Sequence, residues 1–322
     1  MKTKILISLI AIVALAGCTI PGIQGIPGIG TGPLTTGGGG LEITSFTVEP
    51  DTLFSGSNVR IILEVANNGG ITVPINKAMA QIIGNLEFSA TPSSTLVWHD
   101  TKEFQLLKEM KSEDVVRGLS AGTDRIMWTL TSPTLSSGQT RTDSFTGRVY
   151  SEYQTVAQGT IWAYTDSEAE ATRTAGRTLQ KSTFTTSKGP VGISVTVQPD
   201  PIIIYNNDKT FSLNIKLTNL ATGTIYKPDN ITYSESPANK QIFSDALNKV
   251  KIDINKTSDL DLTNADECTT DYQELVAGRP TTIICNFNIV GSVTNFKSFP
   301  INIAVSYGYF TERKVDVTVQ GK

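Results

Sequence analysis

The chain has 322 residues, of which 39% are hydrophobic and 18% charged, with a formal net charge of −3. This is length for about two domains of ~150 residues, and without a basic excess to grip phosphates a nucleic-acid partner is excluded. One His and three Cys leave little for metal chemistry, so neither a cofactor nor a metal site is expected.

Lys2 and Lys4 precede an apolar run, Ile5–Ala16, broken only by Ser8. Twelve helical residues reach roughly 18 Å against a ~30 Å hydrocarbon core, which suits the h-region of a signal peptide rather than a span. The run ends in Leu15-Ala16-Gly17-Cys18. This resembles the lipobox of secreted lipoproteins, which implies cleavage after Gly17 and membrane lipid attached at Cys18. Residues 1–17 are then the leader, and 18–40 the lipidated Cys and a tether. Thr19–Gly40 holds nine Gly and three Pro; it cannot bury enough surface to fold and acts as a linker. Its reach is roughly 25 Å on average and about 70 Å at full stretch. With Cys18 carrying lipid, Cys268 and Cys285 remain. Outside the cytoplasm they are expected to form a disulfide, two free buried thiols being the alternative.

From Leu41 the pattern becomes that of strands. Glu42–Val48 alternates, Glu49-Pro50-Asp51 is a turn, Val59–Ala66 is rich in β-branched residues, and Asn67-Asn68-Gly69-Gly70 is a strong turn. Further strands are expected at Ile75–Ile83, Asp124–Leu130, Thr140–Val149 and Gln158–Tyr164. A second copy follows: Ile193–Val197, then Gln198-Pro199-Asp200, then Lys209–Thr218 and the turn Asn219–Gly223. Each copy ends in paired tyrosines, Tyr150 and Tyr153 in the first and Tyr307 and Tyr309 in the second, which read as tyrosine corners or as ordinary strand aromatics. The expected fold is all-β: two tandem immunoglobulin-like β-sandwiches, 41–165 and 190–322, with a polar linker or extra strand at 166–189. Short helices are expected at 104–110 and at 236–250, where Ser236 caps and Pro237 opens the first turn.

The Asn-Gly turn after the second strand, the tyrosine pairs and Ser187-Lys188-Gly189-Pro190 before the second copy resemble archaeal cell-envelope lipoproteins with tandem immunoglobulin-like domains, related in style to adhesion modules. The resemblance implies a surface binding or structural role and carries over no catalytic residue.

Motifs for chemistry are thin. Gly118-Leu119-Ser120-Ala121-Gly122 matches the nucleophile elbow, but Thr123–Leu130 after it reads as a strand rather than a helix, and the only His, His99, precedes it. The acidic stretch 253–274 reads as a solvated loop; Asp259-x-Asp261-x-x-Asn264-x-Asp266 lacks the glycine and terminal Glu of a calcium loop. Trp98, Trp128 and Trp162 read as core, although two of them exposed together would make a sugar platform. Asn230-Ile231-Thr232 and Asn255-Lys256-Thr257 are N-glycosylation sequons.

The reading is a non-enzymatic lipoprotein on the outer face of the cytoplasmic membrane, an adhesion or interaction module whose partner is an envelope protein or glycan. Two alternatives stay open. One is a structural subunit of a sheath or filament that self-associates through a Thr-rich edge strand. The other is an accessory subunit of a secreted enzyme or transporter.

Overall fold

A computed structural model describes residues 39–84, 97–99, 104–114, 117–228, 246–269, 272–275 and 279–322; for 97–99, 104–106 and 266 it describes the backbone alone. The first half of the chain forms β1 (Leu41–Glu49), β2 (Thr52–Phe54), β3 (Asn58–Asn67), β4 (Ala78–Gly84), β5 (Val97–His99), β6 (Phe104–Leu106), β7 (Thr123–Thr131) and β8 (Thr140–Thr165). Helix α1 (Asp166–Thr174) and β9 (Thr183–Thr186) follow. The second half forms β10 (Val191–Gln198), β11 (Ile202–Ile204), β12 (Thr210–Asn219), β13 (Thr224–Tyr226), β14 (Lys249–Lys256), β15 (Leu260–Leu262), α2 (Ala265–Cys268), β16 (Gln273–Glu274), β17 (Thr281–Ile289) and β18 (Phe296–Gln320).

The fold is all-β. Two four-stranded antiparallel sheets, β1-β3-β7-β5 and β10-β12-β17-β15, repeat one order, that of the A-B-E-D sheet of an immunoglobulin sandwich. Their inward residues alternate, as in β12, where Phe211, Leu213, Ile215 and Leu217 are buried. In β1 strict alternation fails at Thr44. A register shift between Ile43 and Ser45 absorbs the extra residue, so that Leu41, Ile43, Phe46 and Val48 are all buried.

Both small sheets lie against one ten-stranded sheet with the path β16-β14-β18-β8-β4-β6. Its spine is β8 paired antiparallel with β18 along their whole lengths, from Phe296 opposite Tyr164 to Gln320 opposite Thr140. At ~3.3 Å per residue the pair runs about 80 Å. Pairing is symmetric about Glu152 and Gly308: Tyr153 opposes Tyr307, and Ser151 opposes Tyr309. The first part of β8 pairs with β4, and its far end, Ala163–Thr165, pairs in parallel with β11 of the second half. Reciprocally, β18 pairs with β14 and sends Thr318–Gln320 to pair in parallel with β2 of the first half. The stretches 41–165 and 190–322 thus each supply one small sheet, and each lends the other the end of a long strand. One hydrophobic core cluster runs through both, from Leu41 to Val319.

The two strands expected at Thr140–Val149 and Gln158–Tyr164 are one, β8. Between them Tyr153, Thr155 and Ala157 are buried in period two, and no turn residue interrupts. Pro300 is tolerated inside β18 because β14 begins its pairing only at Ile301. Two helical expectations need correction, and one helix is additional. Phe104–Leu106, expected in a helix at 104–110, pairs with β4 as β6. Of 236–250, residues 236–245 lie outside the described residues, and Val250 lies in β14. Helix α1 was not expected, because it buries only Ala169 and Thr172. Its signal was present in Thr165-x-x-Glu168: Thr165 Oγ1 accepts the Glu168 N–H at 3.3 Å, the first half of a capping box.

The tyrosines tie loops to the spine. Ile71 N–H donates to Tyr153 Oη at 3.3 Å, and Gly223 N–H donates to Tyr309 Oη at 3.1 Å; the two tyrosines occupy equivalent places in the two copies. Val191 N–H donates to Tyr307 Oη at 3.1 Å, with Thr155 Oγ1 at 2.7 Å from the same oxygen. Burial pushes the Tyr153 and Tyr307 phenols far above the usual tyrosine range, and Tyr309 up to about 12, against the opposing pull of these hydrogen bonds.

Candidate functional site

The outer face of the ten-stranded sheet differs between the two halves of the molecule. Along β8, Ile161 and Ala163 point into the core, so Gln158, Thr160 and Trp162 point out. The register sets Gln158 beside Asn302, Thr160 beside Pro300 and Trp162 beside Ser298. On one side β9 adds Thr183 and Thr185. On the other, Asn255 of β14 pairs with Asn302, and Thr257 follows. These strands line a pocket of about 520 Å³ that contains Gln158, Thr160, Thr185, Asn255, Thr257 and Asn302.

Two atoms of this pocket are conspicuous on physical grounds. Asn302 Oδ1 and Thr257 Oγ1 are buried and have no hydrogen-bond partner among the described residues. A buried polar atom left without a partner costs about 1–3 kcal/mol, so Asn302 Oδ1 as an acceptor and Thr257 Oγ1 as an acceptor or donor each gain from a partner. The one cation lining the pocket, Lys256, is committed elsewhere: its Nζ donates to Leu260 O at 2.6 Å. The pocket is therefore polar, and its charge among the described lining residues is a single ammonium with one donor already used.

Beyond it along the same face lies an aromatic step. Trp162 is half-buried, 6.1 Å ring to ring from Phe296, whose side chain is 56% exposed. Tyr164 packs on the other side of Phe296 at 6.0 Å and is held by Gln180 N–H donating to its Oη at 3.0 Å.

The equivalent outer face of the first sandwich is closed by its own charges. Arg148 pairs with Glu312 at 2.8 Å and stacks over Phe310, Ser144 donates to Asp316, and Thr142 meets Thr318. A second cavity, about 610 Å³ beside Tyr205 and Phe211, has its polar groups mutually satisfied: Thr210 donates to Asp208 and Ser212 to Asn286.

No family of known proteins and no curated protein matches this chain. Among solved structures it is similar to the native conformation of Escherichia coli α2-macroglobulin, at 9% identity and a TM-score of 0.22, covering 87% of this chain and 17% of that one. A Salmonella α2-macroglobulin mutant gives 9% identity and 0.23, covering 88% and 16%. The MSCRAMM ACE of Enterococcus faecalis, described as binding its ligands by the collagen hug model, gives 10% and 0.13, covering 87% and 95%. The chain thus spans about a sixth of the macroglobulins' length. Its fold assignment rests on its own strand order.

The residues singled out in the sequence are scattered. Cys268 on α2 and Cys285 on β17 form a disulfide, with Cα atoms 5.5 Å apart; it staples α2 to the small sheet, away from the pocket. Asn255 stands exposed at the pocket rim. Leu15, Ala16, Gly17, Cys18 and Asn230 lie outside the described residues, as do the side chains of Trp98 and His99. Trp128 is core. In the Gly118–Gly122 motif the chain passes from a turn into β7, so no helix follows Ser120. Within the acidic stretch Asp259 pairs with Lys297 at 2.9 Å, and no group of three metal-binding side chains occurs among the described residues. Among them, too, no helix is long and apolar enough to cross a membrane. The pocket itself was not foreseen. Gln158 and Asn302 come from opposite halves of the chain, and Trp162 reads in the sequence as core, with a sugar platform expected only where two of Trp98, Trp128 and Trp162 are exposed together.

Proposed function

We propose that the protein is a surface-tethered, non-enzymatic recognition module of the cell envelope. Cys18 is its lipid anchor, 19–40 its tether, and the polar pocket between β9, β8, β18 and β14 its recognition site. The observation that carries this reading is the pair of buried polar atoms, Asn302 Oδ1 and Thr257 Oγ1, without a hydrogen-bond partner among the described residues, in a pocket whose lining there is polar and carries one charge, Lys256. A fold that leaves them unpaired bears a cost that a bound partner removes. Recognition is favoured over self-assembly by the edge of β18 left open among the described residues. Glu312, Arg313, Lys314 and Asp316 stud it, and such charges disfavour edge-to-edge pairing. The archaeal resemblance in the sequence fits a lipoprotein held outside the cytoplasmic membrane.

The test has two arms. Radiolabelled lipid precursor should mark the wild-type chain and not Cys18→Ala; label persisting in that variant removes the anchor. Purified full chain should sediment with isolated envelopes. Asn302→Trp, which fills the pocket, should abolish this, while Lys314→Trp on the other sandwich should not. Equal loss or equal retention in both variants removes the pocket from the reading.

A further inference from the structure

Resting on the recognition site proposed above, we infer that its ligand is a neutral glycan, with one sugar ring packed on Trp162 and its hydroxyls bonded to Asn302, Thr257 and Gln158. A pyranose ring has two chemistries: an apolar face of C–H groups and a rim of hydroxyls that each donate and accept. The first needs an aromatic face, and the second needs amides and hydroxyls that are not already spent.

Both occur side by side here. Trp162 stands two residues from Thr160 on the same face of β8, roughly 7 Å along the strand, so the aromatic step continues the pocket floor. Neighbouring Phe296 is more than half exposed and extends the step. On the polar side, Asn302 Oδ1 and Thr257 Oγ1 have no partner among the described residues, and the Asn255 and Gln158 amides also line the space. Amide side chains can donate and accept at once, as a ring of hydroxyls requires.

The charge pattern sets the class of sugar. An anionic ligand calls for paired or clustered Arg and Lys, whereas the described lining offers one ammonium, Lys256, with a donor already on the Leu260 carbonyl. A cationic ligand calls for a carboxylate, and none lines the pocket among the described residues. The contrast with the first sandwich is an internal control: the equivalent face, built on the same two strands, is filled by the Arg148–Glu312 pair and its neighbours.

The experiment is titration of the purified full chain with neutral hexose and N-acetylhexosamine oligosaccharides, followed by calorimetry and tryptophan fluorescence. A uronic acid oligosaccharide and an uncharged Asn/Ser-rich peptide run alongside. Saturable binding of a neutral oligosaccharide that shifts the emission is expected. Trp162→Ala should weaken binding by about 10-fold or more and remove the shift, and Asn302→Ala should weaken it by about 10-fold. Trp162→Phe, which keeps a stacking face, should retain most of the affinity. Binding of the acidic sugar or the peptide instead, with the same dependence on Asn302, overturns the neutral glycan and leaves the recognition site standing. Sugar binding indifferent to Trp162 and Asn302 overturns the assignment to this pocket. If no sugar binds while Asn302→Trp still abolishes envelope binding, the glycan falls and the recognition module survives; if both fail, both fall together.

Discussion

Three phenols account for much of what single residues contribute to this fold. Tyr153, Tyr307 and Tyr309 each take a backbone N–H that would otherwise be stranded where a loop meets the spine. All three are held protonated by burial. Their pKa in the unfolded chain is ~10, below their values in the folded one. Below pH 10 both states carry the proton, and the contribution is fully present. Above it the unfolded chain releases protons first, so stability falls as pH rises, by about 1.4 kcal/mol per pH unit for each group. The expected outcome is a urea midpoint insensitive to these groups up to pH ~10, which then drops steeply between pH 10 and 12. Phenolate absorbance from the three should appear only with unfolding; their ionisation near pH 10 in the folded chain would contradict the burial argument. Gly308, at the symmetry point of the spine, is fixed by neighbouring bulk: a Cβ there would overlap the Tyr226 ring, so the strand that crosses between sandwiches can pass only as glycine.

Among the elements, the disulfide is the simplest to weigh. Cys268 and Cys285 are 17 positions apart, and a loop of this size is worth ~3 kcal/mol in the chain-entropy model. Asn264 reinforces the same junction, with its Nδ2 donating to Ile284 O at 2.9 Å and its Oδ1 accepting from Asn286 N–H at 2.7 Å. Reduction, or the double substitution Cys268→Ala and Cys285→Ala, should lower unfolding stability by about 3 kcal/mol and leave glycan affinity nearly unchanged, because the staple lies on the small sheet and the pocket on the large one. Chemical denaturation with and without reductant checks this. Two alkylatable thiols in the native, unreduced chain would refute the bridge.

At the scale of the whole molecule, the long strands make the two halves interdependent. Each sandwich is completed by the end of a strand that begins in the other, and β8 and β18 share 25 paired positions. Heat or urea should therefore unfold the protein in one transition, coincident by far-ultraviolet dichroism and tryptophan emission. Residues 39–165 or 190–322 expressed alone should be poorly folded, and mixing them should restore structure. Two separated transitions, or a stable isolated half, would contradict this interdependence. The same exchange builds the pocket, since β8 and β9 form one wall and β14 and β18 the other.

How much of this the residues announce depends on range. Leu41–Val48, Val59–Ala66 and Lys209–Thr218 declare themselves as strands because period-two burial is local, and the repeated turns at Asn67–Gly70 and Asn219–Gly223 declare two copies because turn chemistry is local as well. The proposed leader and lipobox at Cys18, and the odd cysteine left beside a pair, are read from short spacing in the same way. By itself, then, the sequence determined an all-β chain whose strand and turn grammar occurs twice. Only the tertiary structure decided that Tyr150–Ala157 runs straight on instead of turning back, because a strand and a hairpin arm share the same alternation, and the choice between them is made by the partner strand. Only it decided which polar residues stay uncommitted. Arg148 finds Glu312 across 164 residues of chain, and Lys256 finds the Leu260 carbonyl, whereas Asn302 Oδ1 and Thr257 Oγ1 find no partner among the described residues. A pairing such as Arg148–Glu312 forms only because β8 lies against β18, and spacing along the sequence holds no information about it.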